Sequence, residues 1–279
     1  DPEFVLALWA FDRQRQARTM PDTMPTIFFG HGSPMNALGG TGFADRWREI
    51  GAAPPRPTAV LCVSAHWYVR GTHVTAMPEP ETIHDFGGFP PELFAVQYPA
   101  PGDPALSHRV RELLTPEPVG LDESEWGLDH GAWSVLVHVF PAADVPVVQL
   151  SIDRTLPAAA HLELARRLAP LREEGVLVVG SGNIVHNLRR MDWGLGDGEG
   201  FDWAIRFDAR VRSLLEAGDE SGLAAYENLG ADAALSIPTP EHYLPLLYVC
   251  ALRRPGETPT FPVEGFTGGS ISMTTVRFG

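Results

Sequence analysis

Thr26-Ile27-Phe28-Phe29-Gly30-His31-Gly32-Ser33-Pro34 is a run of mostly β-forming residues that ends in an imidazole set between two glycines, after which Ser-Pro stops the strand. The design recurs at Val60-Leu61-Cys62-Val63-Ser64-Ala65-His66, and at Val176-Leu177-Val178-Val179-Gly180-Ser181-Gly182 with His186 soon after. Three apolar strands thus each lead to a histidine at or just past the C-terminal end. In open α/β sheets that end is where ligands bind.

Outward from these strands the pattern alternates. Strands are predicted at 26–30, 58–65, 145–152 and 175–181, with 145–152 apolar throughout, as a strand covered on both faces should be. Helices are predicted near 43–50 and over 104–114, 132–139, 157–173 and 203–216, on their helical spacing of apolar residues. A further helix is expected over 240–252, with Thr239 as N-cap and Pro240 at the first position. Two strands near 259–263 and 270–277 close the chain. Residues 78–101 carry six prolines and read as a long ordered loop, a feature usually tied to function. Without repeats or linkers, one domain is expected: α/β, with a central, largely parallel sheet flanked by helices.

The formal charge of −14 argues against nucleic-acid partners and anionic membrane surfaces. No run of 18 apolar residues offers a membrane span. Cys62 and Cys250 sit in apolar runs and read as buried hydrophobes in a reducing, cytoplasmic setting. Asp1-Pro2-Glu3-Phe4 resembles a cloning junction, and the charged DRQRQAR follows the short apolar run, the wrong polarity for a signal peptide. Residues 1–24 are therefore expected to be cloning-derived or disordered, and 25–279 to form the domain.

There are ten histidines. His73, His108, His138 and His161 read as residues without a special role, His108 and His161 on exposed helix faces. His31, His66 and His242 stand apart: two end strands beside small residues, and His242 is expected in a first helical turn, where the dipole disfavours an imidazolium. Neutral imidazole suits Zn, Fe, Cu and Ni. Spacing alone leaves open three unrelated polar caps. With no cysteine pair and no H-E-x-x-H, zinc-finger and zincin readings fail. His130, in Gly127-Leu128-Asp129-His130-Gly131, and His186, in Ser181-Gly182-Asn183-Ile184-Val185-His186-Asn187, are placed like acid/base groups, or like hydrogen-bonded loop histidines. His84, in Thr82-Ile83-His84-Asp85-Phe86-Gly87-Gly88-Phe89-Pro90, is expected at the mouth of the site, with Phe86 and Phe89 as apolar wall. No G-x-S-x-G elbow occurs, and Gly180-Ser181-Gly182 lacks both G-x-G-x-x-G spacing and a P-loop lysine.

The blocks GHGSPMNAL, VSAHW, TIHDFGGFP, YPAPG, GLDHGAWSVL, VQLSID, SGNIVHNLR and PTPEHYLPLLYV, in this order, resemble the class III extradiol ring-cleavage dioxygenases, nearest the DOPA 4,5-dioxygenase-like subfamily. The resemblance runs from about Pro25 to Gly279. It implies a single α/β domain and a metal held by His31, His66 and His242. His186 would be the acid/base residue, able to serve as a fourth ligand in a zinc form, and His130 would stand near the substrate oxygens. Fe(II) would support activity and Zn(II) would occupy the site without redox chemistry. The partners implied are a DOPA-like catechol and O₂, giving a ring-opened semialdehyde, in a monomer or small homo-oligomer. Relatives that supply a carboxylate as third ligand make Glu241 an alternative to His242. Two rival readings remain at this point: a zinc-dependent hydrolase with Glu241 as base, and a non-catalytic metal-binding module.

Overall fold

The computed structural model describes residues 23–53 and 55–279. The expectation for the first segment therefore lies almost wholly outside the described residues. Met24, at its end, is buried, and its N–H donates to the Arg172 carbonyl.

The apolar runs form β1 (Thr26–Gly30), β2 (Ala59–Val69), β3 (Thr72–Thr75), β4 (Val119–Asp122), β5 (Val147–Asp153) and β6 (Val176–Gly182). Then come β7 (Thr260–Val263), β8 (Phe266–Thr267), β9 (Ile271–Ser272) and β10 (Thr275–Phe278). Eight strands make one sheet in the order β4-β3-β5-β2-β6-β1-β10-β7. Its centre, β5-β2-β6-β1, is parallel, while β3 meets β5 and β10 meets β1 and β7 antiparallel. The central strands are buried throughout over most of their length, because helices cover both faces. One layer holds Val110, Leu162, Phe207, Val211 and Leu247; the other holds Trp47, Trp133, Leu136 and Tyr98. This is the single α/β domain with a mostly parallel sheet that the sequence predicts. Among the described residues, no helix is long and apolar enough to cross a membrane.

Three differences from the predicted elements have physical reasons. The strands β3 and β4, the latter at the sheet edge and half-buried, are four residues each, too short to carry a period. The helix expected over 157–173 is Ala158–Arg166 followed by a 3₁₀ turn at Ala169–Arg172, because Pro170 cannot continue an α-helix. The last helix begins at Leu244, not Pro240. Pro245 is tolerated only in a first turn, so residues 240–243 form a turn before it, and Thr239 donates its hydroxyl to Glu241 (2.7 Å) rather than capping a helix. His161 is also corrected: it is fully buried, with Nδ1 3.0 Å from the Tyr248 hydroxyl, because the helix Leu244–Ala251 packs over its face.

A histidine cluster at the C-terminal edge of the sheet

β2, β6 and β1 are neighbours in parallel register, with Gly30 opposite Gly182 and Ser64 opposite Ser181, so β1 and β6 end level while β2 continues past them. His31 follows β1, its N–H donating to the Gly182 carbonyl at 3.0 Å. His66 lies within β2, which runs four residues past the predicted end through an irregularity between Val63 and Tyr68. His242 sits in the turn over β6, and the Asn183 N–H donates to its carbonyl at 2.8 Å. Gly182 permits this approach: a Cβ there would stand 2.0 Å from the His242 oxygen. That close contact is the role of the Gly-Ser-Gly strand end.

The ring centroids of His31, His66 and His242 form a nearly equilateral triangle of 5.1, 5.3 and 5.2 Å. His130, the first residue of the helix His130–Val139, lies 3.8 Å from the His66 ring and 6.0 Å from that of His31. One nitrogen from each of His31, His66 and His130 falls within 4.8 Å of the others. The His186 ring stacks flat on His242, centroids 3.5 Å apart and planes 5° from parallel. Parallel rings at that distance share no in-plane point, so a common ion needs the His186 ring to rotate.

Hydrogen bonds fix which nitrogen each ring offers. The Ser181 hydroxyl donates to the Gly131 carbonyl at 2.5 Å, so towards His31 Nδ1, at 2.9 Å, it can only accept. His31 therefore carries its proton on Nδ1. The Asp85 carboxylate spans two rings: Oδ1 is 2.9 Å from His130 Nδ1 and from the His130 backbone N–H, and Oδ2 is 3.3 Å from His66 Nδ1. Glu241 Oε1 lies 3.4 Å from His242 Nδ1. His31, His66, His130 and His242 each have Nδ1 facing an acceptor, the arrangement that leaves Nε2 to bind a metal. His31 Nε2 and His66 Nε2 face each other at 3.3 Å, close enough to share a proton or, in its place, to bind one cation; neutral imidazole nitrogens converging in this way fit a divalent metal.

Electrostatics agree. Burial first, then the neighbouring imidazoles, holds His31 and His242 far below the ordinary histidine range. His66 is pushed down to about 3, by burial and then by His130, and His186 to about 4, by burial and then by His66. Neutral rings are the ligating form. Burial is the largest influence on the Asp85 carboxyl and works to raise it, but the hydrogen bonds from His130 and the nearby imidazoles of His130 and His66 together outweigh it and lower it. Asp129, fully buried, caps the helix of His130 and receives bonds from Ser64 (2.7 Å) and Gln149 Nε2 (2.7 Å). Burial and then Asp85 push its carboxyl up.

The rings open on a cavity of about 220 Å³ walled by Phe86, Phe89, Leu188, Met191, Trp193 and Ile271. His31, His66, His130, His186 and His242 all line it, and Glu241 does not. His84 stands outside the lining: its Nε2 is 2.9 Å from the Val96 carbonyl, and its ring packs on Phe86, Phe94 and Trp133. It backs the wall instead of forming it. Sequence reasoning missed Asp85, although it lies inside a quoted block, and missed Leu188, Met191 and Trp193 in a stretch of polar and glycine residues.

The family described as the catalytic LigB subunit of aromatic ring-opening dioxygenase matches residues 32–259. The chain is 51% identical to the 4,5-DOPA dioxygenase extradiol of Escherichia coli K12, over 92% of this chain and 95% of that one. It is 35% identical to the protein of the same name from Beta vulgaris, over 91% of this chain and 96% of that one. The crystal structure of an uncharacterized Escherichia coli K12 protein, 46% identical, superposes with a TM-score of 0.80 over 92% of this chain and all of that one. Three parallel strands bringing histidines to one sheet edge, an open histidine cluster and these matches place the chain among the extradiol dioxygenases of the LigB family.

Proposed function

We propose that the chain cleaves a substituted catechol with O₂ at an Fe(II) ion held by His31, His66 and His242. The observation that carries this ligand set is the near-equilateral triangle of those three rings. With a metal–nitrogen bond of ~2.1 Å, imidazoles arranged about one ion put their centroids about 5 Å apart. The His130 distances, one short and one long, fit that arrangement less well. Glu241 then holds His242 from outside, and is not itself the third ligand.

The chemistry that iron(II) supplies is electron transfer from a chelated catecholate to O₂; zinc has no second oxidation state. The protein supplies the rest. Three neutral ligands leave the full dipositive charge to bind the catecholate and leave open faces for both substrates. His186, neutral and unbound in its stacked position, takes the second phenolic proton and returns it later. One group serves both steps, because each leaves it in the form that the next one needs. His130, its Nδ1 tied to Asp85, presents Nε2 to the substrate oxygens. Phe86 and Phe89 flank the ring and keep water out. The relatives' names make DOPA the first catechol to test, and the buried thiols Cys62 and Cys250 accord with a reducing, cytoplasmic setting.

The test is anaerobic loading with Fe(II), then addition of O₂ and a panel of catechols. A yellow ring-opened semialdehyde is expected with iron and none with zinc. Turnover without O₂, or with zinc, would overturn the reading.

A further inference from the structure

The cavity has two ends of different chemistry. Five histidines make the inner end. The cavity's apolar wall begins beside that end, with the Phe86 ring 5.3 Å from that of His130 and Ile271 bridged to His186, and is completed by Phe89, Leu188, Met191 and Trp193, of which Leu188 and Trp193 are exposed and mark the mouth. The cavity's remaining lining is Gly32, Ser33, Pro34 and Thr267, so among the described residues no carboxylate, ammonium or guanidinium enters it. Arg189, Arg190 and Asp192 lie between the apolar residues of the outer wall but stay outside the lining.

Trp193 is 80% exposed and Leu188 64% exposed. Neither gains much from folding where it stands, and an indole held in water at the mouth of an apolar cavity gains from a ligand instead. Their segment is anchored. The Asn187 N–H donates to the Ser270 carbonyl (3.1 Å), Asp192 to Gly268 (3.0 Å), Gly198 to Phe266 (2.7 Å) and Phe201 to Gly269 (2.9 Å). Trp193 is thus presented by backbone pinned to the β8–β9 hairpin.

We propose that Leu188, Met191 and Trp193 form the surface that reads the ring substituent, and that it selects catechols bearing an uncharged, apolar group over those bearing an amino-acid group. This rests on the catechol reading above. With the two oxygens at the histidine end, a substituent opposite them runs outward along this wall. Each buried methylene strengthens binding about fourfold. A carboxylate or ammonium on the same path loses water and meets no partner, so it must reach past the mouth.

The experiment is calorimetric titration of the Zn(II)-loaded protein, which binds without turnover. The probes are catechol, 4-propylcatechol, 3-(3,4-dihydroxyphenyl)propionate, and L- and D-DOPA. The expected result is 4-propylcatechol binding at least about tenfold tighter than catechol, with the DOPA enantiomers alike and no tighter than catechol. In Trp193→Ala and Leu188→Ala, whose exposed side chains are not needed for folding, the propylcatechol-to-catechol ratio should fall towards one. Three results would overturn the proposal: L-DOPA or the propionate binding tighter than 4-propylcatechol, clear discrimination between the enantiomers, or a ratio that survives both substitutions. A propionate advantage lost in salt would point to Arg189 or Arg190 instead. If catechol itself does not bind, the catechol reading fails and takes this one with it, a result distinct from the others.

Discussion

Asp85 is one carboxylate serving two imidazoles. An amide in its place offers one acceptor and one donor, so it cannot receive Nδ1–H groups from both His66 and His130. One ring must turn or lose its partner, and its lone pair no longer points into the cluster. Asp85→Asn should weaken metal binding by about 10–100-fold while the protein stays folded. Titration with Zn(II) measures this apart from activity, and unchanged affinity would show that the carboxylate does not orient the rings. His186→Ala should behave in the opposite way. It should keep its iron and lose about 10²–10⁴-fold in kcat. Iron content and kcat on one preparation separate the cases; collapse of iron content would make His186 a ligand. His31, His66, His130 and His186 were legible because each ends an apolar run or follows closely on glycine, and His242 because Thr239-Pro240 marks the turn that carries it. Asp85 was not, because its partners belong to β2 and to the helix that starts at His130, and the 78–101 loop brings it there only in the folded chain.

At the scale of elements, the strand end Gly180-Ser181-Gly182 sets the height of the turn that carries His242. Gly182→Ala puts a methyl group against backbone that has no rotamer to yield. It should cost about 1–3 kcal/mol of stability and lower metal affinity as well, because His242 is lifted with the turn. Urea denaturation and Zn(II) titration on the same variant test the pair; lost stability with full affinity would detach the turn from the cluster. The buried strands and the helices 104–114 and 203–216 were legible because their residues follow a simple period. The helix at 240 was over-extended because Pro240 and Thr239 look like a helix start, while Pro245, five residues on, decides where the first turn must lie. The short strands β3 and β4 depend on their neighbours for pairing and show no pattern of their own.

Across the whole molecule, the buried histidines tie stability to pH. His161 illustrates the sign without touching the cluster. Burial holds it down to about 4, whereas in the unfolded chain it titrates near ~6.5. Between those values the unfolded state binds the extra proton, so stability falls as pH drops from ~6.5 to about 4 and is flat above. The loss attributable to this residue is on the order of 3 kcal/mol. Urea unfolding at pH 7.5 and pH 5 should show His161→Leu losing less on acidification than the parent; an equal loss in both would refute it. The fold class was legible from alternation and apolar runs. The covering of His161 was not, since it needs the helix Leu244–Ala251 to arrive from much later in the sequence.

The sheet order has a consequence for how the protein is made. β6 lies between β1 and β2 in space but is synthesised well after both, and His242 comes later still. A chain still emerging from the ribosome can hold His31 and His66 yet has nothing to set them side by side. The histidine cluster proposed to hold the metal therefore cannot assemble until nearly the whole chain is available. Metal loading would then be a step that follows synthesis.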